Sequence, residues 1–478
     1  MPCSLKRSLT QLLFSLLPVH LSWAQAPAPC ACPMVLEQAI SKTTAIYAGF
    51  HDKVTPQSRR RYQALLDSLQ RRARQAKTGY ACFDLLNRYA HSFRDRHVSV
   101  DYTTHLSAST LRRLAYSEAQ ARAYLSQQRT LQPYEGIWQR TDGTMRVATV
   151  PDPAAPGRYV SVVLATTLPH WQVGMVQAQV FGNSSVIGLA HYVFEDFTSR
   201  RLGLRPDGAR YQVWGQQWQR VFPAPAPAPT PPPPAEQVVV KPLTADVVYV
   251  RLPYFTIAQV AKLDSLLKVN RALIGRTPSL IFDMRGNGGG DSGAWGSEEF
   301  MRLFYTQPIP LPTSRFRASD EYIRTQAAYV ERLRKQPTPD AKELTLNQQL
   351  LDSLRAHRGA FVPNVRQHVL RYDSVRAYPQ RIAVLQDKGC GSAAEYFLAM
   401  AKYSAKISRF GTHTGGFMDY GNANPFPLVC ADFTLYLPVT RMPWVDTAPI
   451  DNIGYAPDVP IASGEKDWVQ FVLTYWAK

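Results

Sequence analysis

The chain has 478 residues, of which 45% are hydrophobic and 19% are charged. This balance predicts a folded protein of two or three domains, and no stretch reaches the ~18 uncharged apolar residues of a membrane-spanning helix. The formal net charge of +18 would suit an acidic partner, but the basic residues are dispersed and no nucleic-acid-binding motif is present. We therefore predict neither an integral membrane span nor a nucleic-acid partner.

Residues 1–24 have the three parts of a secretory signal peptide. Lys6 and Arg7 precede an apolar run that ends at Leu21, and Ala24 supplies a small residue at the cleavage site. The run is too short to cross a membrane. We expect an exported protein, periplasmic or extracellular, in a compartment that permits disulfides.

Cleavage would leave an odd number of cysteines in the mature chain. They are Cys30, Cys32, Cys82, Cys390 and Cys430. The pair to test first is Cys390 with Cys430, because both lie in one downstream domain, whereas buried unpaired thiols fit the sequence equally well. No paired C-x-x-C pattern is present, so we predict no metal site.

Patterning divides the mature chain into regions. Residues 33–130 are predicted to be mainly helical, and period-two alternation over 134–222 predicts a small antiparallel β-rich domain. The proline-rich segment 223–237 favours polyproline II and predicts a linker. Residues 238–478 alternate strands with helices, which indicates an α/β fold, with a helical insertion at 313–358.

Within the α/β region, hydrophobic patterning predicts individual elements. Strands are expected at 247–252, 279–284 and 382–386, and helices at 257–273 and 393–402. Two loops that directly follow predicted strands contain residue types that can carry chemistry.

The first loop is the glycine-rich segment that begins at Asp283. Its glycines allow a sharp turn and expose N–H groups that can hold a phosphate or an oxyanion. Gly288, Gly290 and Gly293 also fit G-x-G-x-x-G, although the acidic residue that should end the next strand of a dinucleotide-binding unit is missing. A plain structural turn is the remaining alternative.

The second loop places Ser392 between a strand and a helix. Ser392 and Glu395 form the S-x-x-E spacing of a capping box, which requires no catalysis and which this segment alone favours. The alternative is a serine nucleophile at a helix N-terminus. There, free N–H groups would stabilise negative charge on an attacked carbonyl.

Together, the loops resemble those of the C-terminal processing and tricorn-type serine peptidases, with Asp-x-Arg-Gly-Asn-x-Gly-Gly from Asp283 and Ser-Ala-Ala-Glu from Ser392. Segments 248–252, 411–416, 450–458 and 94–97 are similar to the family's first core strand, its Gly-x-x-Thr-x-Gly loop, its closing element and its upstream Asp-Gly-His element. The resemblance implies a crotonase-like α/β peptidase core, a protein or peptide substrate and no metal or organic cofactor.

The resemblance also implies roles for particular residues. Ser392 would be the nucleophile, and the N–H groups of Gly289 and Ala393 would form the oxyanion hole. Phe417 stands where the Ser-Lys branch has its lysine, which excludes a dyad at that position.

The tricorn-like branch uses an upstream histidine oriented by a carboxylate, and His97 and Asp451 fit these places. Two positions depart from that branch, because Arg96 replaces a serine and Asp451 replaces a glutamate. Asp95 is either a second orienting group or a helix-end charge. His413 is a competing base.

The loop that contains His413, Gly415 and Gly416 is predicted to bind substrate. Asp283, Arg285 and Asp458 are interpreted as scaffolding, and Lys388 as a solvated charge.

The leading hypothesis is an exported serine peptidase that acts through an acyl-enzyme at Ser392. The departures at Arg96 and Phe417 motivate an alternative, a catalytically inactive peptide-binding protein on a peptidase fold. A crotonase-type acyl enzyme is a third reading, against which export argues because coenzyme A is intracellular. The sequence does not indicate an oligomeric state.

Overall fold

The computed structural model describes residues 30–182, 188–204, 206, 209–213, 216–223, 237–291, 298–365, 369–462 and 464–478. The predicted signal peptide and residues 224–236 of the predicted linker lie outside these ranges. Among the described residues, no helix has the length and apolar character that crossing a membrane requires.

The N-terminal region is mainly helical and contains one strand. Its elements are α1 (Cys32–Ile46), α2 (Phe50–Lys53), α3 (Arg59–Ala73), α4 (Gly79–His91), β1 (Ser99–His105) and α5 (Glu118–Gln127). The apolar faces of α1, α3 and α4 pack into one core cluster, as expected for helices with one apolar stripe.

The next region consists of antiparallel strands. They are β2 (Gly136–Arg140), β3 (Met145–Pro151), β4 (Arg158–Thr166), β5 (Val176–Gly182), β6 (Gly188–Val193), β7 (Thr198–Leu204), β8 (Arg210–Val213) and β9 (Gln216–Phe222). From β2 to β7, each strand pairs with the next one in the chain, as in a meander.

The C-terminal region alternates strands and helices. Its first elements are β10 (Val239–Thr244), β11 (Val247–Arg251), α6 (Ile257–Val269), α7 (Arg271–Ile274), β12 (Ser279–Asp283), α8 (Glu298–Phe304), β13 (Ile309–Pro310), β14 (Arg315–Arg317), α9 (Asp320–Arg334) and α10 (Ala341–Ala356). Its later elements are β15 (Phe361–Pro363), β16 (Val369–Leu370), β17 (Arg381–Gln386), α11 (Ala393–Ala401), β18 (Ile407–Gly411), β19 (Tyr420–Pro427), β20 (Phe433–Arg441), β21 (Val459–Pro460) and α12 (Trp468–Ala477).

A six-stranded sheet with the order β10-β11-β12-β17-β18-β21 forms the centre of this region. All pairs from β11 to β21 are parallel. Phe282 on β12 faces a cluster that includes residues of α6, α8 and α11, and its neighbour Ile281 faces a cluster that includes α12. Because both faces are covered, β12 is buried at every position and appears in the sequence as a continuous apolar run.

A second sheet connects all three regions. It has 13 strands in the described part of the chain, with the order β15-β14-β20-β1-β7-β6-β5-β4-β3-β2-β9-β8 and with β19 paired to β20. The first half of β1 pairs with β20, where Ser99 is opposite Tyr436. The second half pairs with β7, where Thr103 is opposite Arg200. One strand of the helical region therefore joins the other two regions.

The predicted helical insertion packs against the N-terminal helices. Tyr322 on α9 and Leu350 on α10 belong to the same buried cluster as Leu36 on α1. A contact between Lys42 Nζ and Glu321 Oε1 of 2.6 Å joins α1 to α9 at the edge of this cluster.

Two disulfides are present in the described chain, one that joins the residue before Ala31 to the β19–β20 turn and one that joins α1 to α4. Cys30 is bonded to Cys430, 400 residues away, and Cys32 is bonded to Cys82. Cys390 is a buried free thiol. The expected pair of Cys390 with Cys430 is therefore wrong, because β20 and the hairpin before it lie against the N-terminus and not against the loop that contains Cys390.

We expect peptide mapping of the non-reduced protein to recover Cys30 linked to Cys430. Replacing both residues with alanine should lower the free energy of unfolding by about 2–4 kcal/mol, because the unfolded chain loses a long-range constraint. Thermal unfolding of the parent and the double variant measures this difference, which should shrink when a reductant is added. Recovery of a linked Cys390–Cys430 peptide would contradict the assignment.

Candidate active site

The two loops singled out in the sequence leave neighbouring parallel strands. Because β12 pairs in parallel with β17, the carboxyl ends of both strands meet at one edge of the sheet. The Gly391 N–H donates to the Asn287 carbonyl over 3.0 Å. The Asp387 carboxylate accepts the Gly286 N–H over 2.8 Å. These bonds hold the glycine-rich loop against the loop that carries Ser392.

Ser392 occupies the N-cap position of α11 with φ 53° and ψ −121°, a conformation that is rare for a residue with a side chain. Its hydroxyl makes no capping hydrogen bond, so the capping-box interpretation is wrong. Ser392 Oγ instead lies 3.0 Å from Nε2 of His97, a residue 295 positions earlier in the chain.

His97 lies in the turn between α4 and β1, where a buried carboxylate supports it. Asp95 Oδ1 accepts the backbone N–H of His97 over 2.9 Å, and Asp95 Oδ2 accepts the Tyr47 hydroxyl over 2.8 Å. His97 Nδ1 lies 3.5 Å from Asp95 Oδ1, although it has no hydrogen-bond partner among the described residues. Asp95 is thus the carboxylate that contacts both the turn and the ring.

Asp451, the residue predicted to orient His97, has other partners. It accepts the Lys53 ammonium over 2.7 Å and the Asp419 N–H over 3.2 Å. No hydrogen bond or ion pair joins it to His97 in the described part of the chain. Burial and the negative charge of Asp95 raise the pKa of Asp451 to about 6, against the opposing charge of Lys53. Asp451 therefore lies in a cluster of charged groups that includes Lys53 and Asp95, and not against the histidine ring.

The two backbone donors predicted to form the oxyanion hole are adjacent. A Cβ at Gly289 would lie 2.6 Å from Ser392 Cβ and 2.9 Å from the Ala393 nitrogen, and the φ of Gly289 is +101°. Only glycine allows this approach. The Ala393 N–H lies in the first turn of α11, where donors lack a partner within the helix. The Gly289 N–H donates to Asn287 Oδ1 over 3.0 Å and is engaged within its own loop.

Glu395 has a role that sequence reasoning missed. Its buried carboxylate accepts the Thr414 hydroxyl over 2.5 Å and the N–H groups of Gly416 and Phe417 over 2.7 and 2.9 Å. Burial raises the pKa of this carboxyl, although these hydrogen bonds oppose the shift. Glu395 therefore fixes the loop after β18 against the helix that begins at the serine. The S-x-x-E spacing was the only signal for it, and that spacing suggested a cap.

Arg96 and Phe417, the two positions that motivated the inactive alternative, contact each other. The Arg96 guanidinium lies 4.8 Å from the centroid of the Phe417 ring, and the His97 ring lies 5.7 Å from the same ring. A Cβ at Gly391 would lie 1.8 Å from Phe417 Cζ. Phe417 therefore packs directly on both the histidine and the loop that carries Ser392.

The residues predicted to bind substrate are divided between a cleft and the interior. His413 and Gly415 line an open cleft of about 900 Å³. The Gly415 N–H donates to the Cys390 carbonyl over 2.7 Å, so this cleft adjoins the serine loop. His413 Nδ1 lies 3.2 Å from the Ile453 carbonyl, and no contact brings His413 to the serine. Gly416 is buried and does not line the cleft.

The remaining residues have surroundings that suit their predicted structural roles. Asp283 accepts the Arg285 guanidinium over 2.6 Å, and Asp458 accepts that of Arg409 over the same distance. Lys388 is exposed. Among the described residues, no group of three or more His, Cys, Asp or Glu side chains is placed to hold a metal ion.

Comparison with known proteins assigns the segment that contains Ser392. Residues 246–461 match the family described as Peptidase family S41, so this part of the chain is a serine-type peptidase domain, which confirms the prediction of a serine-type peptidase. A comparison with curated proteins found no match.

Three solved structures illustrate the likeness in fold. Mature CPAF complexed with lactacystin is 13% identical, covers 90% of this chain and 94% of its own, and has a TM-score of 0.47. The photosystem II D1 C-terminal processing protease is 14% identical, covers 90% of this chain and 93% of its own, and has a TM-score of 0.37. The tricorn protease is 12% identical, covers 93% of this chain and 36% of its own, and has a TM-score of 0.40.

The raised pKa of Asp451 predicts a pH-dependent stability. Between the unfolded value of ~3.9 and the folded value of about 6, the folded protein holds a proton that the unfolded chain releases. This group therefore stabilises the fold at low pH, and the contribution is lost as the pH rises through 6. Asp451→Asn should gain stability relative to the parent between about pH 4 and about pH 7, by up to about 3 kcal/mol.

Chemical unfolding of both proteins across this range measures the change. Asp458→Asn is the matched control. Burial raises the pKa of Asp458, but the Arg409 contacts outweigh it and hold the pKa below the usual value. The difference in the free energy of unfolding between Asp458→Asn and the parent should therefore stay nearly constant between about pH 5 and about pH 7. A flat profile for Asp451→Asn as well would contradict the raised pKa.

The contact of Phe417 with Gly391 predicts a non-additive pair. Gly391→Ala should lower the melting temperature because its Cβ overlaps the ring. Adding Phe417→Leu to that variant should lower the free energy of unfolding by less than the same substitution does in the parent, because the smaller side chain relieves the overlap. We expect a coupling of at least about 1 kcal/mol in a double-mutant cycle. Additive effects would show that the two residues do not pack on each other.

Proposed function

We propose that the protein is an exported serine peptidase that cleaves peptide bonds in protein or peptide substrates through an acyl-enzyme at Ser392. The observation that carries the proposal is the 3.0 Å contact between Ser392 Oγ and His97 Nε2. This distance is within hydrogen-bond reach, as a nucleophile and its general base require. An S41 peptidase domain around the serine supports the same reaction class.

In the first step, Ser392 Oγ attacks the carbonyl carbon of the scissile bond and His97 Nε2 takes the hydroxyl proton. The neutral imidazole must then carry its own proton on Nδ1, the nitrogen that faces Asp95 at 3.5 Å. The Asp95 carboxylate favours that tautomer and stabilises the imidazolium that forms. We assign Asp95 as the nearer orienting group, and Asp451 as a second carboxylate that adds to the negative field.

The tetrahedral intermediate carries an oxyanion that needs preorganised donors. The Ala393 N–H at the start of α11 is one of them. The Gly289 N–H is the second, and it would have to exchange Asn287 Oδ1 for the oxyanion. As the intermediate collapses, His97 returns its proton to the leaving amine. Water then attacks the acyl-enzyme with His97 again as base, which releases the carboxylate product and regenerates the serine.

The crotonase-like core and the export of the protein belong to this proposal. A parallel sheet with helices on both faces, and a helix that begins at the serine, support the core assignment. Two disulfides support an oxidising compartment. Together with the signal peptide predicted over residues 1–24, they favour a periplasmic or extracellular location.

A peptide-binding protein that lacks catalysis is the second candidate. The engaged Gly289 N–H favours it, because a hole with one available donor stabilises an oxyanion less well. The two candidates differ in whether the serine reacts.

The test is digestion of an unstructured protein by the purified mature chain, with fragments identified by mass spectrometry. Ser392→Ala and His97→Ala should each lower cleavage by at least about a thousandfold while the variants keep the parent's melting temperature. Asp95→Asn should cost more activity than Asp451→Asn, because only Asp95 faces the histidine ring. Equal cleavage by Ser392→Ala would identify another nucleophile, and no cleavage by a folded parent would favour the binding protein.

A further inference from the structure

The cleft of about 900 Å³ that adjoins the serine loop has an uneven distribution of charge. Among the described residues that line it, three are cationic (Arg94, Arg96 and Lys388) and none is an aspartate or glutamate. The cations lie on two segments that the fold brings together, the turn before β1 and the loop after β17. None of the three forms an ion pair within the described residues, so their charged groups are available to a ligand in the cleft.

The acidic residues closest in sequence to these cations are already engaged. Asp387 accepts the N–H groups of Gly286 and Gly389 over 2.8 and 2.9 Å. Asp95 is buried and accepts the Tyr47 hydroxyl. Across the cleft, Asp458 is paired with an arginine outside it. None of these carboxylates therefore forms an ion pair with a cation of the cleft.

The fold fixes the backbone of one of these cationic residues and the side chain of another. The Arg94 carbonyl accepts the Asn452 side-chain amide over 2.8 Å, and Arg94 itself has φ 53°. Arg96 lies over the Phe417 ring. The positive side of the cleft is therefore presented by ordered backbone, and Ile453 and Pro457 form an apolar wall in the same cleft.

Four main-chain donors of the cleft are engaged within the protein. The N–H groups of Thr412, Thr414 and Gly415 donate to carbonyls, as does that of Ile453. A chain-terminal carboxylate is commonly captured by a nest of backbone N–H groups, and these four donors do not supply one. The charged side chains are therefore the groups of this cleft that we assign to the recognition of a negative group.

We propose that this cleft binds an acidic side chain, glutamate or aspartate, of the substrate near the scissile bond. Its carboxylate would lie among Arg94, Arg96 and Lys388, and its methylene groups against Ile453. This proposal rests on the proposed peptidase function, because it names the class of substrate for that site.

Binding to the Ser392→Ala protein separates recognition from catalysis. Three short peptides with a neutral dye are compared by fluorescence anisotropy: one with central glutamates and an amidated C-terminus, its glutamine counterpart, and the glutamine peptide with a free C-terminus. The glutamate peptide should bind about tenfold more tightly than the amidated glutamine peptide, because exposed charge pairs contribute only modestly to affinity. Added salt should reduce this preference.

Lys388→Glu and Arg94→Gln, each combined with Ser392→Ala, should weaken binding of the glutamate peptide by about threefold to tenfold. Lys342→Glu is the matched control for Lys388→Glu, and Lys342→Gln is the matched control for Arg94→Gln, because each makes the same change in net charge on α10, away from the cleft lining. Binding by each control should equal that of the Ser392→Ala protein. Retained melting temperatures verify that the variants are folded.

Each outcome bears on the proposal separately from the peptidase assignment. Equal binding of the amidated peptides would overturn the acidic-side-chain proposal, even if the parent cleaves both. Equally tight binding of the neutral peptide with a free C-terminus would also overturn it, in favour of a chain end. A preference for glutamate without cleavage by the parent would support the cleft assignment and count against the peptidase function.

Discussion

The site depends on one contact, the 3.0 Å approach of Ser392 Oγ to His97 Nε2 across 295 residues of chain. Neither residue is positioned by its immediate neighbours alone. The serine is fixed by the parallel pairing of β12 with β17 and by the hydrogen bonds between the loops that follow them. The histidine is fixed because β1 pairs with β20, an element of the peptidase region. Both disulfides involve the first helix or the residues just before it, and so reinforce this attachment.

Buried carboxylates organise the space around that contact. Glu395 accepts hydrogen bonds from a hydroxyl and two backbone N–H groups, which offset part of the cost of its burial and tie the loop after β18 to α11. The negative charge of Asp451 is balanced mainly by Lys53. Burial and the charge of Asp95 nevertheless raise its pKa to about 6, so these two effects are larger than the effect of Lys53. Asp95 faces the His97 ring, with Nδ1 3.5 Å from Asp95 Oδ1, and the charge of Asp95 also acts on Asp451.

The departures from the family pattern form one structural unit. Phe417 occupies the position where the Ser-Lys branch has its lysine, and its aromatic ring lies against the histidine. Arg96 stacks over that ring and at the same time lines the cationic cleft. The same pair therefore connects the base to the surface on which a substrate would lie. Viewed separately in the sequence, the two positions resembled losses of function.

The sequence by itself determined several local elements and singled out the candidate serine. Continuous apolar runs located β12 and β17, helical periodicity located α6 and α11, and the loop residues pointed to Ser392. Such signals are local, because periodicity and glycine content act within a few turns of chain. The tertiary structure alone decided that Cys30 pairs with Cys430, that Asp95 faces the imidazole while Asp451 pairs with Lys53, and that Arg96 covers Phe417. These contacts join separate elements, and only the pairing of strands and the packing of helices brings them within reach.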